Sequence, residues 1–147
     1  MIHYVNGFLL NREKNQVVII QKTKPEWQKG LYNGVGGKIE WDENNFAAMS
    51  REFQEETGVY IAEKHWEHYL IYKALDKSYE VNFFACHDKK NIFVPEVRTT
   101  TEEKICTVPT HEFLRGLWRP SDNADTFLQL YLRGFKHCIV EKDLPQC

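Results

Sequence analysis

The stretch Asn44 to Thr57 limits the possible folds of this chain most, because one helix there carries both an apolar face and an anionic one. Phe46, Met49, Phe53 and Thr57 recur at i, i+3, i+7 and i+11, which predicts a face that packs on a sheet. Glu52, Glu55 and Glu56 recur at i, i+3 and i+4, so their carboxylates are neighbours in space. Like charges held that close weaken a helix. The repulsion is relieved when hard divalent cations neutralise the cluster, and oxygen-only donors suit Mg²⁺ or Mn²⁺ rather than Zn²⁺. The plainer alternative is a solvated acidic face. Arg51 precedes the cluster and can pair with a carboxylate to orient it. Asp42 or Asn44 can cap the helix, and Gly58 stands where it should stop.

The remainder of the chain supplies material for a sheet. Residues 3 to 10 read as a strand, Asn11 to Gln16 as a turn and Val17 to Thr23 as a second strand, which together predict a hairpin. Pro25 to Gly30 reads as a loop. Asn33 to Lys38 (NGVGGK) holds three glycines in six residues, which suggests backbone brought close to something. Further strands are expected near 66–75, 79–86 and 104–108, a short helix over His111 to Leu117, and a longer one over Asp122 to Phe135 with Phe127, Leu128, Tyr131 and Leu132 at helical spacing. Strands and helices mix without regular alternation. This predicts an α+β or α/β sandwich, a mixed sheet with helices on both faces. With 147 residues the chain fits a single domain, 1–147.

The formal charge of −2 argues against a partner that is a nucleic-acid polymer, and it leaves room for a small polyanion. Cys86, Cys106, Cys138 and Cys147 form no C-x-x-C pair and read as reduced thiols. No signal peptide or membrane span is visible, so the expected setting is cytoplasmic. The histidines show no metal-ligand spacing. Monomer and dimer both remain open.

The glutamates belong to a longer pattern. The segment GKIEWDENNFAAMSREFQEETGV places Gly37, Glu43, Arg51, Glu52, Phe53, Glu55, Glu56, Gly58 and Val59 in the register of the Nudix box. Average residue usage puts a full chance match at about 10⁻⁷ per chain. The chain is therefore similar to Nudix hydrolases. The resemblance implies an α/β/α sandwich in which a loop-helix-loop carries the box. It implies that Glu52, Glu55 and Glu56 bind Mg²⁺ or Mn²⁺ and activate water, and that the Gly37 carbonyl is a further ligand. It also implies that Glu43 and Arg51 hold the loop and the glutamates, while Phe53 anchors the helix. Many such enzymes use an acidic residue outside the box, for which Glu103 is favoured over Glu102.

The flanks bear on the substrate. GLYNGVGGKIE resembles the W-N-G-F-G-G-K form of MutT-type purine triphosphatases that remove oxidised nucleotides, with Tyr32 and Val35 as departures. In that likeness Asn33 reads a base edge, with Gly36 and Lys38 beside it. LWRPSDNADTFLQL is similar to the W-P-D-D segment that closes the purine pocket, so Trp118 is expected to stack on a base and Asp122 to bond its edge. Lys22 is placed to meet phosphates. Trp27 and Trp41 read as packing or loop residues. The leading expectation is a nucleoside triphosphate pyrophosphohydrolase acting on purine or oxidised purine nucleotides in nucleotide-pool sanitation, with products NMP and pyrophosphate. The alternatives are a hydrolase of ADP-ribose, dinucleoside polyphosphates or nucleotide sugars, and a non-catalytic binding module, which would normally have lost box glutamates.

Overall fold

A computed structural model describes residues 1–142. Its strands are β1 (Ile2–Leu10), β2 (Gln16–Gln21), β3 (Tyr32–Asn33), β4 (Val35–Lys38), β5 (Glu67–Ala74), β6 (Tyr79–His87), β7 (Ile105–Pro109) and β8 (Cys138–Lys142). The helices are α1 (Asn45–Thr57), α2 (Thr110–Leu114) and α3 (Ala124–Leu132).

Period-two alternation builds two cores from one sheet. Along β1, Val5 and Leu9 enter the core under α1, while Phe8 and Leu10 enter the core on the opposite face. The run Val17 to Ile20 on β2 splits in the same way, which is why four consecutive apolar residues are all buried. Met49 and Phe53 of α1 fill the first core, and Phe127 and Leu128 of α3, with Phe113 of α2, fill the second. Helices therefore cover both faces of a mixed sheet, the sandwich expected from the sequence.

Pairing of β1 explains how the sheet delivers its glycine strand to α1. One edge of β1 runs parallel to β6 along its whole length. The other edge is divided. Leu9 and Leu10 pair with β2, and Tyr4 to Gly7 pair with β4. The sheet thus opens where β4 leaves for the loop that leads into α1. The main path of the sheet is β3-β2-β1-β6-β5-β8, with β7 on the free side of β2.

The structure adds strands that were not anticipated and shortens one helix. NGVGGK is mostly strand, because β4 finds its pairing on β1 without needing side chains of its own. The last helix is shorter than 122–135. It ends in a Schellman turn, in which Gly134 (φ 85°) donates to the Tyr131 carbonyl and Phe135 N–H to the Leu130 carbonyl. That turn releases the chain into β8, a strand not anticipated, which pairs parallel with β5. Among the described residues Cys86, Cys106 and Cys138 are free thiols; Cys147 lies outside them. No helix among the described residues is long and apolar enough to cross a membrane.

Candidate active site

Asn44 caps α1 by accepting the Ala47 N–H at 2.8 Å, and Gly58 (φ 77°) ends it, so both ends of the acidic helix are determined locally. The face bearing Met49 and Phe53 is fully buried. That burial turns Glu52 toward β4. A Cβ added at Gly37 would lie 2.5 Å from the Glu52 carboxyl, and one at Gly36 would lie 1.9 Å from the Val5 carbonyl oxygen. The glycines are what allow β4 to lie between the sheet and the carboxylate.

Arg51 organises the acidic face. Its Nε donates to Glu43 at 3.0 Å and one terminal nitrogen to the same carboxylate at 2.5 Å, a bidentate clamp. The same nitrogen donates to the Lys38 carbonyl at 3.1 Å, tying the loop end to the helix. The other reaches Glu52 at 2.9 Å and Glu55 at 3.3 Å. Arg51 thus links Glu43 and the Lys38 carbonyl to the glutamates of α1. The Arg51 hydrogen bonds hold the Glu43 carboxyl below its ordinary pKa. Burial pushes Glu52 above the usual carboxylate range, with Arg51 opposing that rise. Burial likewise raises Glu56, with the Thr101 hydroxyl opposing and the charge of Glu103 adding to the rise.

Glu103 stands at this end of the site and is buried, 6% exposed. It accepts from the Thr23 N–H at 2.6 Å, the Thr23 hydroxyl at 3.2 Å and Lys22 Nζ at 3.3 Å. Glu102 is exposed. The Thr101 hydroxyl donates to Glu56 at 2.9 Å and accepts the Glu103 N–H at 3.2 Å, so it joins the loop of Glu103 to the helix.

Among the described residues no three His, Cys, Asp or Glu side chains stand close enough to enclose an ion. The residues nevertheless fit a hard divalent cation. Every donor at hand is oxygen, and two half-buried carboxyls are raised in pKa in a way that a nearby positive charge would reverse. The Gly37 backbone lies against Glu52 with no side chain between them. Gly37→Ala should move that carboxylate. A displacement of about 1 Å in such a site costs on the order of 100-fold in rate. Steady-state kcat on a folded mutant, checked by circular dichroism, tests this; an unchanged kcat would show that the close approach is only packing.

A cavity of about 820 Å³ opens beside Gly37. Its lining includes Lys22, Asn33, Gly36 and Asp122, which brings four of the six sequence-derived substrate residues together. Tyr72, Tyr79, Phe83 and Phe127 give it an aromatic floor. Lys38 and Trp118 are not in that lining. Lys38 lines a second, more open cavity of about 950 Å³, together with Trp41 and Glu52. The Trp118 ring stands edge-on to Tyr32 at 5.3 Å, and its indole N–H donates to Glu112 at 3.2 Å. Trp118 thus packs on Tyr32 outside the cavity lining, and its expected stacking on a base stays a proposal. The two tryptophans read as packing or loop residues are exposed, Trp27 by 62% at the cavity mouth and Trp41 by 97%. The sequence reading missed Thr101, Trp27, Gln28 and Ser121. Only the exposed Trp27 in a polar loop carried any signal, an aromatic with no periodic partner.

A NUDIX domain model matches residues 1–130. No curated protein matches the chain. Among solved structures, a MutT from work on Aliivibrio salmonicida and Vibrio cholerae is 21% identical, with a TM-score of 0.71 over 91% of this chain and 98% of that one. A bifunctional NMN adenylyltransferase/ADP ribose pyrophosphatase from Francisella tularensis, complexed with AMP and Mn ion, is 15% identical, with a TM-score of 0.75 over 90% of this chain and 41% of that one. The NUDIX domain of Shewanella oneidensis NrtR, complexed with ADP ribose, is 13% identical, with a TM-score of 0.69 over 90% of this chain and 87% of that one. At these identities the likeness establishes a shared fold.

Proposed function

The chain belongs to the NUDIX family, and we propose that within it the protein is a Mg²⁺- or Mn²⁺-dependent pyrophosphohydrolase of purine nucleoside triphosphates, including oxidised ones. The observation that carries this reading is the junction of the acidic helix with the aromatic cavity: Gly37 lines the cavity and also lies against Glu52.

Glu52, Glu55, Glu56 and the Gly37 carbonyl would hold the cation, with Glu103 as a further candidate donor. When bound, it neutralises phosphate oxygens and acidifies a water. Arg51 holds Glu52 in one orientation, so the acceptor for a proton is positioned in advance. Glu52, fixed by Arg51 and lying against the Gly37 backbone at the cavity wall, is placed to take that proton. Lys22 brings a positive charge to the cavity edge next to Glu103, where a triphosphate would enter. Asn33 and Asp122 line the same space and supply polar contacts for a base. The net reaction is attack of water on a phosphorus, cleavage of the diphosphate bond and transfer of the water proton to a carboxylate, leaving NMP and pyrophosphate.

A second reading, hydrolysis of ADP-ribose-type compounds, is favoured by the Shewanella and Francisella relatives, whose structures are described with ADP ribose or as an ADP ribose pyrophosphatase. A panel of purine and pyrimidine triphosphates, ADP-ribose and dinucleoside polyphosphates with Mg²⁺, its products resolved, tests the two. Monophosphate plus pyrophosphate from a purine triphosphate as the best reaction is the expected result. ADP-ribose as the best substrate would overturn the triphosphate reading while leaving the hydrolase chemistry intact.

A further inference from the structure

The strap between β2 and β3 is closed at its base, where Lys22 N–H donates to the Leu31 carbonyl and Gly30 N–H to the Lys22 carbonyl, both at 2.8 Å. Inside it, Gln28 is held by its own backbone, donating to Pro25 at 2.9 Å and accepting from Leu31 at 2.9 Å. Its side chain reaches the cavity wall. There the hydroxyl of Ser121, a fully buried residue from the segment before α3, donates to Gln28 Oε1 at 3.1 Å. Asn33 is held in the same sense: its Oδ1 accepts the Gly34 N–H at 2.7 Å. An amide whose oxygen is taken by the protein has its NH₂ group left for a ligand. A distant residue for Gln28 and a neighbouring N–H for Asn33 thus orient two amide groups that line one aromatic-floored cavity.

Building on the purine-nucleotide reading above, we propose that Gln28, oriented by Ser121, is a specificity-determining residue that donates an N–H to a carbonyl oxygen of the nucleobase, so that the cavity prefers 6-oxopurines to 6-aminopurines. A 6-amino group in that place would set donor against donor and leave both without an acceptor. The preference comes from the unpaired group as much as from the bond made.

Calorimetric binding of IMP and AMP separates this from the reaction itself, since neither monophosphate need be turned over. Wild type should bind IMP about tenfold more tightly than AMP, the scale of one buried donor satisfied against one left unpaired. Gln28→Glu keeps the size of the side chain and its acceptor for Ser121 but replaces the donor with a second acceptor, so the ratio should fall to about one or below. Ser121→Ala frees the amide to turn and should lower the ratio as well, with Gln28 intact. Equal binding of IMP and AMP by wild type overturns the proposal, as does no measurable binding of either. A ratio that survives both substitutions overturns it too. Because these are binding ratios, a protein that hydrolyses ADP-ribose instead of triphosphates can still show the IMP preference, so the two failures are distinguishable.

Discussion

Excess chelator should reduce hydrolysis to the uncatalysed background, and added Mg²⁺ or Mn²⁺ should restore it. The expectation follows from the donors around Glu52 and Glu56, which are oxygens throughout, with no thiolate or imidazole among the box residues. Such a set binds hard cations and leaves the two raised carboxyls without compensation when they are withdrawn. Nothing else in the cavity replaces the lost charge: Lys22 already faces Glu103, and Arg51 is shared among Glu43, Glu52 and Glu55. Fold should persist in chelator, because α1 is held by the buried face of Met49 and Phe53 and not by its acidic one. The measurement is product formation with and without chelator alongside thermal melting. Full turnover in metal-free buffer would end the hydrolytic mechanism proposed here.

How far the sequence could be read depended on the range of the interaction. The acidic helix was legible because its capping residue Asn44, its stop at Gly58 and both of its faces lie within one short segment. The contacts of Arg51 were legible for the same reason, since Glu52 is the next residue and Glu43 lies only 8 positions before it. β4 was not legible as a strand. Its glycines have no β propensity, and it forms because β1 offers a free edge, which is a tertiary fact. β8 depends likewise on the free edge of β5. The cavity wall joins Gln28 to Ser121 across 93 positions, and no local pattern announces that pair. Trp118 shows how a motif likeness leaves side-chain packing open: the sequence does not announce that its ring lies edge-on to Tyr32 with the indole N–H on Glu112.

Glu56→Gln should reduce kcat by about a thousandfold, since several kcal/mol of charge stabilisation are at stake and each 1.36 kcal/mol is a factor of ten. The substitution is chosen for what it keeps. Gln retains an oxygen for the Thr101 hydroxyl, which donates to Glu56 at 2.9 Å, so the loop that carries Glu103 should stay joined to α1. It removes only a negative charge, one that Glu103 and Glu55 both repel. Without metal the mutant should therefore melt at or slightly above the temperature of wild type. Loss of activity together with unchanged or raised stability is the signature of a group kept for chemistry against its cost to the fold. A residue that merely supports structure would lose both together. Raising Mg²⁺ should recover little of the rate, because the missing charge is part of the site and not only of its affinity. Near wild-type turnover at saturating Mg²⁺ would remove Glu56 from the proposed donor set and leave Glu52 and Glu55 to carry it.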